Sequence, residues 1–291
     1  MTKKTIAVTG ATGHVGKAVV SKLKEAGHDA RKVSRSSGVP DDDVAALTRA
    51  FSGADAIFLM IPPDFKAASL RQRSDELGSK LAAAAKASGA RRVVFLSSLN
   101  AHLREATGPI LGLHDMEERL NSLDIPELVH LRPAYFMENH LSGIGLISNH
   151  GHYAAALRPD ISIPMIATLD IGAKAAELLA EEPFGQPRVR ELLGPRDYTM
   201  TEAARILGAA IGKPGLKYVQ LSYDEARQSM LDAGLTPGYA DAMIELSRHM
   251  NESLIQGTET RSPLNTTPTT LEHFAQVVFR SAYEQEAAVA R

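Results

Sequence analysis

Short apolar runs alternate with longer amphipathic ones through the first half of the chain. TIAVT (residues 5–9), AIFLM (56–60), VVFLS (93–97) and LVHLR (128–132) are short and bounded by turn residues or charges, which predicts strands. Residues 15–25, 44–50, 65–87 and 113–122 lie between them and read as helices. Strict alternation of strand and helix implies βαβ units, and so a parallel sheet with helices on both faces. AIFLM and VVFLS carry almost no polar face, as expected of central strands buried on both sides.

One run breaks the pattern. DARKVSR (29–35) falls where the second strand belongs, yet it is heavily charged. Residues 39–55 have room for a helix and little else before AIFLM begins. The usual next strand is therefore expected to be missing, leaving strand two at the sheet edge, where Lys and Arg discourage edge pairing. Beyond residue 140 the alternation loosens. Residues 170–181, 201–211, 223–233, 238–255 and 271–283 read as helices, and 189–193 and 216–221 as strands. The expected organisation is an α/β unit over residues 1–150 and a smaller, mostly helical lobe over 151–291, with some segments returning to the main sheet. Met200, Met230, Met243 and Met250 are expected to fill the core of that lobe.

Composition removes several classes of function. Among 291 residues there is no cysteine, which excludes disulfides, thiol nucleophiles and cysteine metal sites and suits a reducing compartment. A net charge of −2 gives no basic stripe for nucleic acid. No apolar run approaches the roughly 20 residues of a membrane span. A strand starting at residue 5 leaves no room for a signal peptide, so a soluble, cytoplasmic protein is expected. His150-Gly151-His152 lacks the carboxylates or helical spacing of a metal site, and no metal is expected.

VTGATGHVG, between the first strand and the first helix, carries the chemistry. Gly10, Gly13 and Gly16 permit a tight turn, close approach of backbone to a pyrophosphate, and close helix–strand packing. The helix opening through Thr12, His14 and Val15 offers free N–H groups and a favourable dipole to phosphate. The strand–loop–helix context is the one a dinucleotide site requires. At the end of strand two, Ser34-Arg35-Ser36 presents a base and hydroxyls where an acid would hold the ribose of NAD. NADP is therefore the expected cofactor, with NAD left open as a second.

These motifs resemble the NmrA-like group of atypical short-chain dehydrogenases, which includes NAD(P)H quinone oxidoreductases, triphenylmethane and azo dye reductases and ergot-alkaloid dehydrogenase-like proteins. VVFLSS, His114-x-x-x-Glu118, LRPAYFMEN, ELLGPRDYTMTEAARILGAAIGK and MLDAGLTPGYADAMIEL extend the resemblance over nearly the whole chain. It implies a Rossmann-type NAD(P)-binding domain over 1–150, a substrate lobe over 151–291, and hydride transfer near the C-terminal ends of the strands. It places Ile61, Ser98 and Pro133 beside the cofactor, Ser97 at the catalytic serine position, and Tyr135, Phe136 and Asn139 around the substrate. Where related catalytic proteins carry Tyr-x-x-x-Lys, this chain has His114 and Glu118. Glu118 cannot depress a tyrosine pKa, whereas a carboxylate near His114 would favour the protonated ring as a proton donor. The expected acceptor is a small conjugated molecule, quinone-like or dye-like. The alternative is a regulator that senses NAD(P) without turnover and signals through a partner protein. A homodimer is left open.

Overall fold

The computed structural model describes residues 2–105, 107–180, 188–252 and 257–289. The first half builds β1 (Thr5–Thr9), α1 (His14–Glu25), β2 (Asp29–Val33), α2 (Val44–Phe51), β3 (Ala56–Leu59), α3 (Leu70–Ala87), β4 (Arg92–Leu96), α4 (Ile110–Asn121) and β5 (Glu127–Pro133). After it come β6 (Tyr135–Phe136), α5 (Ile144–His150), β7 (His152–Ala155), β8 (Ile163–Ile166), α6 (Thr168–Ala180) and β9 (Val189–Leu192). The chain continues through β10 (Asp197–Tyr198), α7 (Met200–Ala210), β11 (Lys217–Gln220), α8 (Tyr223–Asp232), α9 (Pro237–Asn251), α10 (Leu271–Phe274) and α11 (Arg280–Val289).

Six parallel strands form the main sheet in the order β2-β1-β3-β4-β5-β9, the expected α/β architecture. Alternate side chains feed two cores, as strand geometry requires. Ile6, Val8, Val94 and Leu96 face α1 and α6, while Ala7, Val93 and Phe95 face α2, α3 and α4. Gly172 of α6 lies so close to α1 that a Cβ there would collide with Ala18.

The charged run forms an edge strand, as its composition predicts. Past Val33 the chain makes one short helical turn, Arg35–Ser37, and then enters α2 with no further strand. Arg31 has a reason to be charged: its guanidinium donates to the carbonyls of Ala50 and Ser52, both at 2.8 Å, and so satisfies the end of α2. α3 begins later than residue 65, because Ser69 caps it by accepting from Gln72 N and Asp64 turns the chain before it.

The second half differs more. Besides the expected strands it contains β6, β8 and β10, which form a three-stranded sheet, and β7, which pairs with β11. Each is only two to four residues long, too short to leave a periodic signal. The tail expected as one helix holds a π-helical turn, Ala275–Phe279, between α10 and α11. The expected ends of two helices, residue 181 and residues 253–255, lie outside the described residues. No described helix is long and apolar enough to cross a membrane.

Candidate active site

Thr9 ties the end of β1 to β3: its hydroxyl donates to Phe58 O at 3.1 Å and accepts from Met60 N at 2.8 Å. The chain then turns through Gly10, whose φ of +61° is the left-handed region that glycine enters without strain. A Cβ on Gly16 would collide with the Gly10 carbonyl, so this glycine lets α1 sit against the turn. Gly13 is different, because a Cβ there would meet only Gly10 O, at 3.5 Å. Its outward side is open. No side chain caps α1, and Thr12, Gly13 and His14 are exposed while Val15 is buried in the core. The free N–H groups of this first turn and the helix dipole form a cradle that fits a pyrophosphate.

Beside the loop lies a cavity of about 330 Å³ whose wall includes Thr12, Ser34, Arg35, Ser36, Asp41 and Met60. Ser34 and Ser36 are locked together at 3.0 Å, and Ser37 Oγ accepts from Ser34 N at 2.9 Å, which fixes the turn. Arg35 extends from it with its side chain 82% exposed, and its ion pair to Asp41 is a loose 3.9 Å. The residues present fit an adenosine 2′-phosphate. Ile61 does not line this cavity. It packs toward α3 beside Gly78, and Met60 and Pro62 take its place in the wall.

A larger cavity, about 910 Å³, opens at the C-terminal ends of β4 and β5 and reaches into the lobe. Ser98, Pro133, Tyr135, Phe136 and Asn139 all line it. Phe65 and Tyr239, with ring centroids 5.3 Å apart, contribute from the β3–α3 loop and α9. The lining is mostly apolar. Of the methionines expected in the core, Met200 and Met250 are there, Met250 also reaching the cavity wall, whereas Met230 and Met243 line the cavity. Burial pushes the Tyr135 phenol up to about 12 although the Asn139 side chain acts the other way, so it stays a neutral hydroxyl. Glu138, also in the wall, accepts from the backbone and hydroxyl of Thr168 at the start of α6, and burial lifts its pKa.

His114, Glu118 and Ser97 lie off the wall of this cavity. The His114 ring bonds the Ala101 carbonyl at 2.8 Å, which requires the proton on Nδ1, and it thereby braces the loop after β4. Glu118 turns to solvent. The expected pairing of the two is not what the helix delivers. Its neighbour Glu117 is instead buried, 3% exposed, with Arg132 of β5 bonding both carboxylate oxygens at 2.9 and 2.5 Å. Ser97 donates to the same carboxylate at 2.5 Å, so its hydroxyl belongs to this buried cluster. Burial alone would raise Glu117, but the Arg132 hydrogen bonds, the field of His130 and the Ser97 bond hold it below its ordinary value. A sequence signal for Glu117 exists: it continues the stripe Ile110, Leu113, Leu120 at helical spacing, a carboxylate on an otherwise apolar face.

A parallel sheet of this order, a glycine turn after its first strand, a base past the second and a cavity at the strand ends together define a Rossmann-type dinucleotide-binding protein. The NmrA-like family model matches residues 2–275, and the chain belongs to that family. It is similar to a (4-alkanoyl-5-oxo-2,5-dihydrofuran-3-yl)methyl phosphate reductase of Streptomyces griseus, 30% identical over 82% of this chain and 85% of that protein. Quinone oxidoreductase 2 of Escherichia coli is 28% identical over 91% of this chain and 95% of its own length. The crystal structure of an Escherichia coli NADPH-dependent quinone oxidoreductase with NADPH superposes at a TM-score of 0.72 and 25% identity, covering 94% of this chain and 99% of that one.

Proposed function

We propose that the chain is an NAD(P)H-dependent oxidoreductase that passes hydride from NADPH to an apolar, conjugated small-molecule acceptor, quinone-like or dye-like. The observation that carries this reading is the large apolar cavity at the strand ends, beside the open glycine cradle. Bound NADPH supplies the hydride itself, so the protein's task is to position donor and acceptor and to keep water away. Gly10, Gly13 and Gly16, with the backbone of His14 and Val15, hold the pyrophosphate. Arg35, Ser34 and Ser36 hold the adenosine phosphate, while Ser98 and Pro133 border the nicotinamide. Tyr135, Phe136 and Asn139 border the acceptor. Residues 1–150 then serve as the dinucleotide domain, and 151–291 complete the substrate wall and return β9 to the sheet. The names of the relatives, a reductase and a quinone oxidoreductase, agree with this reading.

Neither His114 nor Glu118 is needed in this scheme, since easily reduced acceptors draw their proton from solvent. The test is NADPH consumption with a panel of quinones and conjugated dyes, alongside direct titration of NADPH binding. Binding with turnover of at least one acceptor is expected. Tight binding with no acceptor reduced would overturn the enzymatic reading in favour of a dinucleotide-sensing regulator.

A further inference from the structure

The loop that joins β4 to α4 has features that cofactor binding does not explain. Asn100 is the one non-glycine residue among the described ones with a positive φ, +67°. Its backbone is held from several sides. Leu99 N donates to Pro133 O at 2.9 Å, Leu103 N to Asn100 O at 2.9 Å, and the His114 ring to Ala101 O at 2.8 Å. The Asn100 side chain is 2% exposed and reaches His249 of α9, with Nδ2 and Nε2 3.3 Å apart across 149 residues of sequence. His249 is itself 5% exposed. Each partner has one atom left over: Asn100 Oδ1 and His249 Nδ1 are buried without a hydrogen bond, as are His102 Nδ1 and Thr107 Oγ1 on the same loop. Such unsatisfied groups are costly in a protein interior and call for an explanation.

Asn100 lines the large cavity, where several of the other polar groups are committed elsewhere. Glu138 is taken by Thr168, Tyr153 by His140 at 2.8 Å, and Ser247 by Met243 O at 2.8 Å. We propose that Asn100, held by His249, is a polar subsite of the cavity and selects acceptors that carry a carbonyl oxygen. This rests on the hydride-transfer reading above and narrows its substrate class to quinones and other conjugated carbonyl compounds.

The chemistry follows from the pair. An amide offers a donor at one end and an acceptor at the other, and imidazole can bond either end by changing tautomer. In the structure Nδ2 faces Nε2 and Oδ1 is left over. Flipping the amide end for end, with the ring proton on Nε2, lets Nε2–H donate to Oδ1 and leaves the NH₂ for an acceptor's carbonyl. A quinone taking up the hydride gains its two electrons, and one proton from solvent completes the hydroquinone, with NADP⁺ the other product. Negative charge builds on the carbonyl oxygen as the hydride arrives, and a fixed donor in a mostly apolar cavity stabilises it. A triphenylmethane cation has no such oxygen and gains nothing from the amide.

The decisive variant is Asn100→Gly, because glycine keeps the positive φ while removing the amide with its methylene. Asn100→Asp, also at ease in this conformation, replaces the donor with a repelling carboxylate. With a para-quinone, kcat is expected to fall about 10²-fold in the glycine variant, the scale of a lost oxyanion donor, and further in the aspartate variant. NADPH affinity by fluorescence titration, and reduction of a triphenylmethane dye wherever the wild type reduces one, stay within about twofold, below the smallest effect expected of the donor. A glycine variant with wild-type kcat for the quinone overturns the proposal, and so does equal loss on quinone and dye. Wild-type turnover is a separate readout: NADPH binding without reduction of any acceptor refutes the functional reading itself.

Discussion

Glu117→Gln isolates what the buried pair on α4 contributes. The substitution keeps the shape of the side chain and removes its charge, leaving the Arg132 guanidinium, 7% exposed, without a counter-ion. Removing one partner of such a pair costs about 3–5 kcal/mol, because the remaining charge stays buried and uncompensated. Against a total stability of about 5–15 kcal/mol that is a large fraction. At roughly 2–4 °C per kcal/mol for a chain of this size, Tm falls by about 6–20 °C. Glu118→Gln, one residue on and facing solvent, changes stability by no more than about 0.5 kcal/mol. Urea unfolding followed by circular dichroism measures both. The pair also sets an acid limb. Because the folded pKa of Glu117 lies below its ordinary 4.5, its contribution is complete above that value and is lost as pH falls through the folded pKa. Glu117→Gln therefore shows a shallower loss of stability below about pH 4.5. Replacing both partners with apolar residues, Glu117→Leu with Arg132→Met, recovers much of the loss. A cost below about 1 kcal/mol for Glu117→Gln, or an equal cost for Glu118→Gln, would refute the assignment of the buried carboxylate.

Three further outcomes follow from the site and its surroundings. Gly13→Ala leaves the melting temperature near wild type but weakens NADPH binding, whereas Gly16→Ala destabilises by about 1–3 kcal/mol through collision with the Gly10 carbonyl; thermal melts and fluorescence titration separate them. Arg35→Asp lowers the ratio of NADPH to NADH affinity, and an unchanged ratio would remove Arg35 from the phosphate site. Burial pushes both His130 and His140 down to about 4, so the unfolded chain binds two more protons than the fold between pH 6.5 and 4. Stability is full above pH 6.5 and falls through that window by about 2–3 kcal/mol per pH unit from these two groups, and His130→Gln halves that component in urea titrations at stepped pH.

The glycine loop was legible because its constraint is local. A left-handed turn at Gly10 and a helix that starts four residues later are properties of one short segment. The edge position of DARKVSR was legible for a related reason: a charged strand has few places in a parallel sheet. His114 and Glu118 misled because a shared helix face says nothing about where that face points. The stripe through Ile110, Leu113, Glu117 and Leu120 marks the inward side, and Glu117 gains its meaning only when β5 brings Arg132 against it.

By itself, then, the sequence determined the βαβ alternation, the edge strand and the glycine turn, since each is set by spacing and burial within a continuous run. The family resemblance pointed to Tyr135, Phe136 and Asn139, which line the cavity. Tertiary structure alone decided that Ser97 serves the Glu117–Arg132 pair, that methionines of α8 and α9 line the cavity, and that Asn100 meets His249. Those contacts join segments far apart along the chain, and one-dimensional periodicity carries no information about which faces will meet.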